Sequence, residues 1–162
     1  MTGVVLGLHV NPNGGVPKHP VDSLDIRSEG CVGDKQNDLK HHGGPRRAVC
    51  LLEHRVMERL KAEGHPIQPG STGENILLDN LPEGSLAVGA ILAVGNAVLA
   101  ITGDAVPCKT IGASFTGGTF NELSHKRCAG QTRWYASVVK PGTVYVGDEV
   151  SMVNGDGPTE NQ

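Results

Sequence analysis

A β-rich barrel or sandwich is the fold class that this sequence predicts, on two observations. The first is composition: 23 Gly and 10 Pro stand against two Phe, two Tyr and one Trp in 162 residues. Gly and Pro mark turns, and many turns in a short chain imply many short strands. The second is patterning. VVLGLHV, RAVCLL and LAVGAILAVGNAVLAIT are β-branched or partly alternating runs bounded by turn residues, as strands are.

Taken in order, Val4 to Val10 predicts a first strand, and the NPNGG that follows is a turn cluster. From Lys18 to Pro45 the chain is polar and Gly-interrupted, and it is expected to be irregular around one short strand. An excursion of that length in a compact domain points to function. Arg47 to Leu52 predicts a buried strand. In EHRVMERLKAEG the residues Leu52, Val56 and Leu60 recur at helical spacing and Gly64 supplies the stop, which predicts a helix.

PGSTGENILL reads as a Gly-bracketed loop entering a strand, and Gly95-Asn96 as the turn of a hairpin. The apolar run before Cys108 is expected to break at Gly103. Beyond Cys108 a short helix is expected at Asn121 to Lys126, and RWYASVV, KPG and TVYVGDEVSMV are expected to form a closing hairpin with Val146-Gly147-Asp148 as turn chemistry. Residues 1–153 are expected to form one domain. The tail 154–162, NGDGPTENQ, has no apolar anchor and is expected to be disordered.

A 162-residue chain can bury roughly two thirds of its unfolded surface, so neither a metal nor a disulfide is needed to hold it together. A net charge of -3 with 19% charged residues gives no preference for nucleic acid or an anionic membrane. No apolar run approaches the roughly 20 residues of a membrane span, and MTGVVLGLHV lacks the basic start of a secretion signal. A cytoplasmic protein is expected. Cys31, Cys50, Cys108 and Cys128 are widely spaced with no C-x-x-C, and in a reducing compartment they are expected to be free thiols.

Several groups could carry chemistry. Gly33-Asp34 is followed by His41-His42-Gly43-Gly44-Pro45-Arg46-Arg47, where guanidinium forks beside glycine backbone suit phosphate or carboxylate oxygens. A solvated basic loop reads equally well. Glu74 and Asn75 on a Gly-hinged turn could meet the edge of a heterocycle or close the turn through backbone bonds. Cys108 lies in a Pro-marked loop beside Lys109, where a nearby cation favours the thiolate needed for nucleophilic attack or metal ligation, whereas Cys50 inside RAVCLL reads as core. His125-Lys126-Arg127-Cys128 and Arg133 offer further anion contacts. A cysteine hydrolase built from Cys108, His41 or His42, and Glu74 or Asn75 would need a base within hydrogen-bond reach. A zinc site on the adjacent histidines lacks the usual ligand spacing.

The order of these groups resembles the MOSC domain, named for the C-terminal domain of molybdenum cofactor sulfurase. The matching elements are Gly33-Asp34, His42-Gly43-Gly44 with Arg46, Arg47, Ala48 and Val49, Gly73-Glu74-Asn75-Ile76, Pro107-Cys108, and Gly147-Asp148. They span about residues 20 to 152. The resemblance implies a compact β-barrel with a few short helices. It also implies binding of the molybdenum cofactor, a pterin dithiolene carrying molybdenum and a phosphate, with Cys108 as molybdenum ligand or sulfur acceptor.

By that resemblance Cys108, His42 and Glu74 carry the chemistry. His41, Arg46, Arg47, Asn75 and Lys109 would hold the cofactor. Many members have an Arg just before the P-C motif where this chain has Asp104-Ala105-Val106, so Arg127 or Arg133 would supply that contact. The activity implied is two-electron reduction of N-hydroxylated small molecules, with an external reductase as electron donor. A sulfur carrier that takes persulfide sulfur on Cys108 from a cysteine desulfurase is the second reading. A non-redox reaction on a small substrate, without molybdenum, is the third.

Overall fold

The structure is a computed structural model, and it describes residues 2–35 and 44–153. Eleven strands are described: β1 (Gly3–Val10), β2 (His19–Val21), β3 (Ser23–Arg27), β4 (Gly30–Cys31), β5 (Val49–Glu53), β6 (Ile76–Asp79), β7 (Ile91–Val94), β8 (Ala97–Ala105), β9 (Arg133–Lys140), β10 (Gly142–Tyr145) and β11 (Glu149–Val153). The described α-helix, α1 (His54–Ala62), follows β5 directly. The larger sheet runs β11-β7-β8-β9-β5-β6-β1, and β11 pairs back onto β1. Seven strands thus close a barrel, which removes the sheet edges that would otherwise be unpaired.

Closure divides the chain into an inside and an outside by simple alternation. On β5, Val49 and Leu51 join the central core with Leu8, Leu78, Leu92, Leu99, Ile101, Trp134 and Ala136. Leu52 faces the other way and packs with Val56, Met57, Leu60, Ile67 and Leu77. β5 and β6 are the parallel pair of the barrel, and parallel neighbours need a crossover rather than a tight turn. α1 supplies it. The helix ends as the sequence predicts: Gly64 has φ 93, its N–H reaches Lys61 O at 2.9 Å, and the His65 N–H reaches Leu60 O at 3.1 Å, the paired bonds of a Schellman stop.

Several expectations are corrected. The stretch after Lys18 contains three short strands, not one: β2 extends the sheet beside β1, while β3 and β4 join β10 in a second sheet. Each is too short to show a period in the sequence. β8 does not break at Gly103; its ladder with β9 slips between Ile101 and Gly103 and resumes as far as Ala105↔Arg133, as a β-bulge allows.

The expected closing hairpin is absent, because β10 pairs with β3 and β11 with β7 and β1. At Gly142 an added Cβ would lie 2.6 Å from Asn96 O, so only glycine lets the chain leave the barrel there. β10 then buries Val144 with Leu24 and Ile26 against the main core. Gly147-Asp148 is a turn, but one that passes between two sheets: its N–H and C=O bond Val5 across β1, and Asp148 Oδ2 accepts the Tyr145 N–H at 2.8 Å.

The Gly95-Asn96 hairpin forms as expected, with Val94 opposite Ala97. Asn121 to Lys126 is not an α-helix. A single 3-10 turn occupies Phe120–Glu122, and Leu123 at φ -104, ψ 68 ends it. Residues 106–132 instead form an excursion of short 3-10 turns whose Ile111, Phe115 and Leu123 pack on α1. Arg59 fastens it, donating to Gln131 Oε1 at 2.5 Å and Glu122 O at 3.3 Å. The tail 154–162 lies outside the described residues. Among the described residues no helix is long and apolar enough to cross a membrane.

Leu60 is fully buried between α1 and the excursion. Leu60→Ala is expected to cost about 2–5 kcal/mol of stability, read from the urea midpoint at an unchanged slope.

Candidate functional site

On the outer face of the barrel, β5, β9 and β8 set Cys50 opposite Tyr135, Tyr135 opposite Gly103, and Arg133 opposite Ala105. Cys50, Ala105 and Tyr135 form a small apolar floor separate from both larger cores. The 3-10 turn Pro45–Arg47 lies across one side of this floor, with the Arg47 guanidinium carbon 5.6 Å from the Tyr135 ring centroid, a cation–π distance. The Thr102 hydroxyl secures the turn by donating to Arg46 O. On the other side the chain leaves β8 at Ala105 and reaches Cys108 three residues later. Among the described residues, a side chain added at Gly103 or Gly44 would meet no atom within 4 Å, so none of them crowds the backbone at either edge.

The four thiols separate by environment. Burial pushes the Cys50 thiol up to about 11, and burial pushes that of Cys31 higher still. Both are therefore un-ionised at neutral pH and poor nucleophiles or ligands. Cys50 is buried, as its position in RAVCLL suggests, although it packs on the outside of the barrel. Cys108 is half-buried with its sulfur 2.8 Å from Thr110 Oγ1, and Cys128 is exposed.

Beneath the loops lies a buried polar layer. The Asp34 carboxylate accepts both oxygens' worth of bonds from Lys18 Nζ at 2.7 and 2.6 Å, with the Asn11 N–H at 2.9 Å and Asn75 Nδ2 at 2.8 Å. The Lys18 and Asp34 side chains are 8% and 4% exposed. Asn75 does more than close a turn: its N–H donates to Cys50 O at 2.8 Å and its Oδ1 accepts the Cys50 N–H at 3.0 Å. It thereby joins β5 to the segment entering β6 one step before their ladder starts. Its Nδ2 also reaches His9 O at 3.1 Å.

Glu74 is fully buried, its oxygens accepting the Gly70 N–H and the Thr72 hydroxyl, each at 2.6 Å. Burial raises its pKa, against the opposing pull of those bonds and of the Arg133 charge. Arg133 is 4% exposed and donates to the backbone oxygens of Thr72, Ala105 and Val106.

Of the residues singled out from sequence, the structure brings together Arg47, Glu74, Asn75 and Arg133 around the β5–β9–β8 face, with Cys108 on the loop that leaves it. Arg46 and Lys109 are exposed beside it. Arg127 points elsewhere, 3.2 Å from Glu122 on the excursion. His41 and His42 lie outside the described residues. Among the described residues no group of three or more His, Cys, Asp or Glu is arranged to hold a metal ion.

Sequence reasoning missed Lys18, Asn11, Tyr135 and His9. Only register could have shown Tyr135, and nothing in the local sequence marks Lys18 as a buried cation.

The MOSC domain model matches residues 38–151, and the chain belongs to the MOSC domain family. Two curated relatives are YiiM of Escherichia coli (strain K12), 28% identical over 144 residues, and YflK of Bacillus subtilis (strain 168), 27% identical over 143 residues. Each alignment covers 86% of this chain, and the chain spans 63% of the length of each relative. Among solved structures, YuaD of Bacillus subtilis superposes with a TM-score of 0.73 at 21% identity, covering 93% of this chain and 94% of that one. YiiM from Escherichia coli superposes with a TM-score of 0.70 at 24% identity, covering 95% and 70%. The barrel is therefore the fold of these proteins.

Two outcomes follow from the polar layer. Asp34→Asn leaves the Lys18 ammonium buried without its counter-charge and is expected to cost about 3–5 kcal/mol by urea denaturation. His9 is 2% exposed with Nδ1 unpartnered, and burial lowers its pKa to about 4. Between about pH 6.5 and 4 the unfolded chain thus binds the extra proton, so the His9 contribution makes stability rise with pH across that window and fall on acidification. Buried Glu74 acts in the opposite sense. The difference between wild type and His9→Gln isolates the imidazole: it is expected to shrink by a few kcal/mol from pH 7 to pH 4, and a flat difference would refute the assignment.

Proposed function

We propose that this cytoplasmic MOSC protein binds the molybdenum cofactor on the β5–β9–β8 face and performs two-electron reduction of small N-hydroxylated compounds, with a separate reductase as electron donor. The observation that carries the reading is the setting of Cys108. It is a thiol outside the deep core, on a loop leaving the strand that floors an open, glycine-edged surface with arginines at its rim.

The residues present fit such a group. A soft metal that brings its own sulfur ligands needs one protein thiolate rather than a protein cage, which agrees with a single half-buried cysteine at the site. Arg46 is exposed on the 3-10 turn, and Arg47 stands over Tyr135; planar guanidinium forks match phosphate oxygens. Among the described residues nothing crowds the backbone at Gly44 and Gly103, which would admit a flat ring close to the main chain.

When bound, the cofactor supplies a redox metal able to exchange two electrons. The chain's own part is to hold and orient. Cys108 would be the metal-facing thiolate, with Thr110 Oγ1 as a hydrogen-bond partner for its sulfur. Arg46 and Arg47 would take the phosphate end, and Lys109 would add positive charge beside the thiolate. Glu74 and Asn75, with their polar atoms already engaged, would keep the floor rigid and the loops in register.

Purification from a host that makes molybdenum cofactor, followed by metal and pterin analysis of wild type and Cys108→Ala, tests the reading. Stoichiometric molybdenum and pterin in the wild type, with molybdenum lost in the variant, is the expected result. An apo protein carrying a labile persulfide on Cys108 would replace it with the sulfur-carrier reading. A folded protein with neither would sink both.

A further inference from the structure

We propose that Arg133 is a positioning residue whose buried guanidinium holds the turn that presents Cys108; the inference rests on Cys108 being the working thiol. The last ladder pair of β8 and β9 is Ala105↔Arg133, so beyond Ala105 no strand pairing holds the chain. The next residues are Val106, Pro107 and Cys108, and proline has no N–H with which to fasten a turn. Arg133 occupies that gap. Its Nη2 donates to Ala105 O at 3.2 Å and Val106 O at 3.4 Å, the two carbonyls that precede Pro107.

Its Nη1 donates to Thr72 O at 2.8 Å, on the loop that carries buried Glu74. One rigid guanidinium therefore ties the Cys108 turn to the 70–75 loop. A surface arginine does not explain this arrangement: the side chain is 4% exposed and its Nε has no partner. A buried guanidinium stays charged and is costly unless its donors are met. Here both Nη nitrogens are met by backbone carbonyls on two loops, with Glu74 as the buried carboxyl that feels the charge. On the far side of Cys108 the Ile111 N–H donates to Cys108 O at 3.1 Å. The cysteine is thus held from both sides, by the arginine before it and by the 3-10 turn after it.

Arginine is needed for its shape as well as its charge. A lysine keeps the charge but, as a single ammonium, lacks the fork that spans carbonyls on separate loops.

The test is alkylation of Cys108 by iodoacetamide in the apo protein, in a Cys128→Ser background that removes the exposed competing thiol. Cys31 and Cys50 are buried. At fixed pH and well below the melting temperature, Arg133→Gln is expected to raise the Cys108 rate about tenfold, and Arg133→Lys by an intermediate factor. Faster exchange of the Ile111 amide should accompany it, with the β5–β6 ladder amides still protected. A folded Gln variant whose Cys108 rate stays within about twofold of the parent overturns the proposal, even if it melts earlier, because a merely stabilising residue would behave so. Should the Gln variant not fold, the Lys variant is judged by the same rule. The measurement needs no cofactor, so its failure is distinguishable from a failure to bind molybdenum.

Discussion

The Asp34 carboxylate, held out of water by Lys18, Asn11 and Asn75, is the interaction on which this face of the molecule depends. It joins the end of β1, the segment after β4 and the entry to β6, three stretches far apart in the chain. A carboxylate buried alone would be protonated or expelled; buried with an ammonium and two amide donors it is a fixed point. Asn75 passes that fixity on, because the side chain that donates to Asp34 also accepts from Cys50. The register of β5 against β6, and through β5 that of β9, is set beside this node.

A second buried charge, Arg133, organises the opposite end of the same layer. The two differ in what they hold. Asp34 is met by side chains and one amide, and so fixes strands; Arg133 is met by carbonyls, and so fixes loops. Cys50 lies between them and feels both pairs, yet burial keeps its thiol protonated. Under the proposed function the chemistry falls to Cys108, half-buried on the loop outside the layer.

Much of this was legible in the sequence. Strand content followed from Gly and Pro frequency, α1 from the spacing of Val56 and Leu60 with Gly64 as its stop, and the β7–β8 hairpin from Gly95-Asn96. Cys108 stood out because it follows a strand beside Pro107. Illegible were the short strands β2 to β4, since two to five residues carry no measurable period, and the departure of β10 from its sequence neighbour β9. Burial of Glu74, Asn75 and Arg133 was also hidden, because residue type alone assigns such groups to the surface.

What the sequence by itself determined is therefore local: which segments extend, where they turn, and which cysteine stands at a strand end. These are consequences of backbone sterics and side-chain alternation, which act between near neighbours. Tertiary structure decided the rest. Only closure of the barrel could place Tyr135 beside Gly103, Lys18 against Asp34, and a buried arginine under the turn of Cys108, because burial and charge pairing arise between residues that the chain alone does not bring together.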